Sequence, residues 1–192
     1  DETAIGLELT VIEDWKRELP AGSERWFEDI FRTVPNQKSL RVERIDQVEN
    51  PAGNNDYFLA RYRGPLLVPE DGQYALGINS DDGSFLKIDG QVTLSWLGNH
   101  FPDAVEIGSR YNFLPLVNAW THNATVSLQK GVHWIEFYHQ EMSGTQMAHM
   151  GWRRPALAGD AGSLDYFFRG FSPDANGWEV VPAQFLDGQI PC

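Results

Sequence analysis

Short runs of alternating apolar and polar residues recur along the chain, the mark of strands that bury one face. Leu7, Leu9 and Val11 alternate in the first run, residues 6–12, which is predicted to pair with the C-terminal strand. Glu24–Thr33 breaks the pattern. There Trp26, Phe27, Ile30 and Phe31 share one helical face, Ser23 stands at the N-cap, and Glu24, Glu28 and Asp29 suit the first turns. A short helix with a core Trp-Phe cluster is expected. Extended character returns at residues 39–45 and 56–64, and residues 65–72 should bring the chain back through a proline-bounded edge. Tyr74, Leu76 and Ile78 alternate again. Residues 85–88 continue as a strand, and Asp89-Gly90 should turn it into residues 91–94. Residues 125–128, 133–139, 147–152 and 178–182 complete the set. Residues 98–103 and 108–112 read as a long connection, and residues 140–146 as a loop.

Composition fits many short strands. With 192 residues the chain can bury one sizeable core, and its 18 Gly and 11 Pro suit tight turns. Fifteen basic against 27 acidic residues, net −12, argues against nucleic acid and against anionic membrane surfaces, both of which call for clustered Lys and Arg. No apolar run approaches the ~20 residues of a membrane helix. The single cysteine, Cys192, excludes an intrachain disulfide and a cysteine metal site. A start at Asp1-Glu2-Thr3 would suit a chain whose leader has been removed.

The candidate chemistry centres on Asn79-Ser80-Asp81-Asp82-Gly83-Ser84. Asp-Gly between two strands is a favoured hairpin turn, which accounts for the triplet without any ligand. Two adjacent carboxylates add a second reading. On an extended backbone they would point apart, so bringing both to one cation needs an unusual backbone such as a cis peptide.

This run, in the form NSDDGSFLKIDG after EDGQYALGI, resembles the signature hairpin of the protective-antigen (PA-fourteen) domain family. Residues 125–139 resemble that family's penultimate strand pair, Gly151-Trp152-Arg153-Arg154-Pro155 its closing motif, and Trp178-Glu179-Val180-Val181-Pro182 its C-terminal strand. Pattern and resemblance together imply an all-β fold: a two-sheet antiparallel sandwich or barrel with one or two short helices. One domain over residues 1–192 is expected, with an insertion at 159–177. The resemblance also implies that Asp81 and Asp82 hold Ca2+, and that the ion binds sugar hydroxyls. Further metal ligands would come from residues 140–146, as backbone carbonyls or side chains, with Gln140, Glu141, Ser143 and Gln146 as candidates. Sugar contacts would involve Asp81, Asp82, Glu141, Gly144 and Gln146, beside a flat platform sought among Trp96, His100, Phe101 and Trp120.

Other chemistries find less support. His133 and His139 lie on one face of a strand but roughly 20 Å apart, too far to share an ion. The remaining histidines show no ligand spacing. A glycosidase needs carboxyls roughly 5–9.5 Å apart across a bond, unlike a pair converging on one cation. No nucleophile elbow and no phosphate loop occurs. Asn123-Ala124-Thr125 is a glycosylation sequon that matters only in a eukaryotic secretory host. The expectation is therefore a non-enzymatic, calcium-dependent glycan-binding domain, secreted or at the cell surface, within an adhesin or enzyme-associated polypeptide. The alternative is a structural or accessory domain that binds no sugar.

Overall fold

The computed structural model describes residues 6–54, 56–102, 120–144, 146–155 and 177–187. Two antiparallel sheets face each other. The first runs β2 (Lys38–Val42), β1 (Leu7–Ile12), β4 (Phe58–Val68), β9 (Gly131–Glu141), β6 (Ser84–Ile88), β7 (Gln91–Trp96). The second runs β11 (Glu179–Val180), β10 (Met147–Arg153), β5 (Gly72–Asp81), β8 (Asn123–Leu128), with β3 (Asp46–Gln47) also paired to β10. Alternation decides which side chains meet between them. Leu7, Leu9, Val11, Tyr62, Phe137 and Leu86 from one sheet pack on Tyr74, Leu76, Ile78, Met150 and Trp152 from the other.

Helix α1 (Glu24–Thr33) covers the outer face of the six-stranded sheet. Phe27, Ile30 and Phe31 form a second core with Leu59, Phe85 and Tyr138. The Trp-Phe cluster is thus core, with Trp26 only half-buried at its edge. Ser23 occupies the N-cap, but its hydroxyl donates to the Pro20 carbonyl rather than accepting from the helix. A 3-10 turn (Ala183–Phe185) is the second helical element.

Three expectations from the pattern change. Strand β1 pairs with β2 and β4 among the described residues, not with the C-terminal strand, which is held by β10 instead. Strand β4 runs unbroken through Gly64-Pro65. The proline lies past Arg63, the last partner of β1, so that side is an edge there and the missing N–H breaks no ladder. The third concerns strands that look like hairpins in sequence. β5 and β6 belong to different sheets, and so do β8 and β9; Asp82-Gly83 and Gln129-Lys130 are corners that carry the chain across the sandwich. A two-residue gap has the length of a hairpin, but β5 pairs with β8 and β10 and β6 with β7 and β9, so the chain crosses between sheets instead of folding back. The Asp89-Gly90 turn is a true hairpin, with both residues at positive φ. Of the insertion expected at 159–177, all but Gly177 lies outside the described residues, as do residues 108–112.

Candidate functional site

The corner between β5 and β6 abuts the end of β9. Asp81 is the last residue of β5, paired with Met147 of β10, and Asp82 is the first of the corner. The peptide bond between them is cis, and their carboxylates converge instead of alternating. Glu141, the last residue of β9, completes the group: one carboxylate oxygen from each of Asp81, Asp82 and Glu141 lies within 4.8 Å of the other two. All three side chains are buried, Glu141 completely.

Three buried acids at this spacing repel one another. Burial, then the Asp82 charge, pushes Asp81 up to about 6. Burial, then the charges of Asp82, Asp81 and Asp56, pushes Glu141 up to about 9. Asp82 is also raised by burial, partly offset by two main-chain donors. These are the Met142 N–H, 2.8 Å from Oδ2, and the His100 N–H, 3.1 Å from Oδ1. Both Glu141 oxygens are buried without any hydrogen-bond partner. Among the described residues no basic side chain closes an ion pair with any of the three. A buried carboxylate with neither donor nor counter-charge is costly. A hard divalent cation removes that cost, because it takes oxygen ligands in number and supplies the missing positive charge. The donor set fits such an ion.

The backbone of the corner is held from below. The imidazole of His139 is buried and lies 5.6 Å, edge to face, from Phe58. Its Nε2 sits 2.7 Å from the Asp81 carbonyl, so Nε2 carries the proton. Burial lowers the His139 pKa to about 4, against the opposing pull of that carbonyl, and the ring is neutral at pH 7. Sequence reasoning assigned His139 no role here, since a period-two strand shows only that it faces inward. Asp56 was missed as well: it accepts the Gly144 N–H at 3.1 Å and lies near enough to raise Glu141.

The other residues singled out in the sequence are dispersed around this centre. The side-chain amide of Gln140 turns away, accepting from Leu19 N–H and donating to the Arg17 carbonyl, each at 2.8 Å. That is what alternation along β9 requires once Glu141 faces the acids. Gln146 donates to the Val48 carbonyl at 3.2 Å. Gly144 takes φ +113° in the rim loop, a conformation that favours glycine. Trp96 stacks with His100 and His122, both with ring centroids 3.6 Å away and planes within 22°. Two rings so close and so parallel cannot share one face, so Trp96 is sandwiched rather than open. Trp120 is core, against Gly77 and Gly151. Phe101 is the exposed aromatic of the set, at 85%.

Comparison with known proteins agrees with this architecture. Residues 22–161 match the model of the PA14 domain. Among solved structures, an anti-sigma factor domain-containing protein from Clostridium clariflavum is similar at 16% identity and TM-score 0.58, covering 98% of this chain and 48% of that one. The chain thus spans about half the length of that relative. A PA14 sugar-binding domain from an RTX adhesin is similar at 12% identity and TM-score 0.60, covering 97% and 99% of the two chains. The Epithelial Adhesin 9 A domain of Candida glabrata, solved with Galb1-4GlcNAc, is similar at 12% identity and TM-score 0.54, covering 82% and 86%. Identities this low show a shared fold. No curated protein sequence matches the chain significantly. With a family model matched over most of its length and the two-sheet sandwich beneath it, the chain belongs to the PA14 domain family.

Proposed function

We propose that this chain is a non-catalytic, calcium-dependent glycan-binding domain of a secreted or cell-surface polypeptide, adhesin-like or enzyme-associated, with residues 1–192 forming one domain. The observation that carries the reading is the group of three buried carboxylates, with both Glu141 oxygens unpartnered. Asp81, Asp82 and Glu141 would hold Ca2+. Six to eight oxygens are needed, so positions remain for two vicinal hydroxyls of a sugar. The rim segments around His100 and Gly144 each donate a main-chain N–H to an acid at or beside the site, and in this reading they would set sugar preference. The sugar-binding relatives support the reading by fold. Among the described residues no helix is long and apolar enough to cross a membrane.

Calorimetry with calcium, followed by a glycan array run with calcium and with chelator, tests the proposal. Calcium-dependent retention on particular glycans, lost in chelator and in Asp82→Asn, is the expected result. An array blank in both conditions sinks the glycan claim. A second reading, as an assembly domain, draws on Val92, Val132 and Trp134, which stand exposed near the β6–β7 turn. It requires concentration-dependent self-association that ignores chelator and sugar alike.

A further inference from the structure

Cation sites on loops commonly recruit main-chain carbonyls, yet here every carbonyl of the corner is engaged elsewhere. The Asp81 carbonyl accepts from His139 Nε2–H at 2.7 Å. The Asp82 carbonyl accepts from the Ser80 hydroxyl at 2.6 Å. Since Ser80 spends its proton there, the 2.7 Å contact between Ser80 and Ser84 must have Ser84 donating and Ser80 accepting. The Gly83 carbonyl accepts from the Gln140 N–H at 2.7 Å. His139, Ser80, Ser84 and Gln140 are all buried, so water does not compete for these bonds.

We propose that His139 is a positioning residue of the cation site: with the Ser84–Ser80 relay and the Gln140 main-chain N–H, it ties down the carbonyls of Asp81, Asp82 and Gly83, so that this stretch turns its carboxylates to the ion. The inference rests on the cation reading above and deepens it. The frame that aims Asp81 and Asp82 is made of protein groups alone. A partner that orients ligands without touching the metal commonly contributes about 10–100-fold to affinity. His139 acts through Asp81 and touches neither cation nor sugar.

The test compares calcium affinity, by calorimetry on the full chain, in wild type, His139→Phe, His139→Gln and Ser84→Ala. Phe keeps the bulk and loses the donor; Gln keeps an N–H donor. Weakening of about tenfold or more is expected in His139→Phe, with His139→Gln restored most of the way and Ser84→Ala in between. Thermal melts in chelator show whether each variant is folded, and a general loss of stability would not produce rescue by Gln. If His139→Phe does not fold, the tautomer decides: nitrogen NMR of wild type in chelator should find His139 protonated at Nε2. Protonation at Nδ1 alone overturns the proposal, as does equal calcium affinity in folded Phe and Gln variants. Wild type that binds no calcium overturns the cation reading as well, whereas binding that is indifferent to His139 overturns only this inference.

Discussion

At Glu141 the fold keeps a carboxylate where its charge is least welcome, buried, unpartnered and beside two other acids. Its free value of 4.5 rises to about 9 in the folded chain, and that of Asp81 from 3.8 to about 6. The folded state therefore holds protons that the unfolded chain releases. In chelator, the stability contributed by these groups is full below about pH 4 and is lost as pH rises towards 9. Melts in chelator should show a lower midpoint at pH 8 than at pH 5. Glu141→Gln should flatten that slope and raise stability in chelator at pH 8, while weakening calcium about tenfold or more, at least 1.4 kcal/mol of binding. A variant that gains stability without losing calcium would show that Glu141 is no ligand. The trade is the one expected where function holds like charges together.

Elements hold the site through close approach. A side chain at Gly83 would meet the backbone of Gly98 at 2.9 Å and Leu97 at 3.2 Å, so the corner and the segment after β7 can touch only because Gly83 has none. Gly83→Ala should push that segment outward and pull the His100 N–H from Asp82. Calcium affinity should fall about tenfold with the fold retained, as read by calorimetry and circular dichroism. The β6–β7 hairpin is fastened separately. Asp89 accepts from Trp134 N–H at 2.8 Å and contacts His133 Nδ1 at 2.7 Å. Burial works against both ionised groups, but the hydrogen bonds and mutual charge prevail: Asp89 is lowered and His133 raised. The Asp89 share of stability is lost as pH falls below about 4, and the His133 share as pH rises beyond about 6.5. The stability difference between wild type and His133→Gln in urea melts should be largest between those values and shrink by pH 9. A difference independent of pH would rule out an ionised pair.

For the whole molecule, the acids bridge the two layers. Asp81 ends a strand of the five-stranded sheet and Glu141 a strand of the six-stranded one. A cation held by both staples the sandwich at that end, and anything that binds only the folded state stabilises it by mass action. Calcium at a hundred times its dissociation constant should add about 2.7 kcal/mol, which for a chain of this size is about 5–10 °C in the melting midpoint. Scanning calorimetry with calcium and with chelator measures it. Asp81→Asn should abolish most of the shift; an undiminished shift would place the ion elsewhere.

Alternation along β1, β5 and β9, the amphipathic face of α1 and the Asp89-Gly90 turn were legible in the sequence, because each depends on local periodicity or on a residue's own backbone preference. So was the Asp81-Asp82 pair, singled out by its signature run, and Glu141 among the candidates beside it. Pairing was not. Whether Gly83 closes a hairpin or turns a corner depends on strands three to five elements further along the chain, with which β5 and β6 pair in separate sheets. The same holds for the site's supports: His139 reads as an inward-facing strand residue and Ser84 as an ordinary turn flank. Ser84 meets Ser80 only four residues back, but across a corner whose shape the sheets decide. His139 meets its carbonyl only when β9 comes to rest beside β6, since a hydrogen bond over 58 residues leaves no trace in spacing.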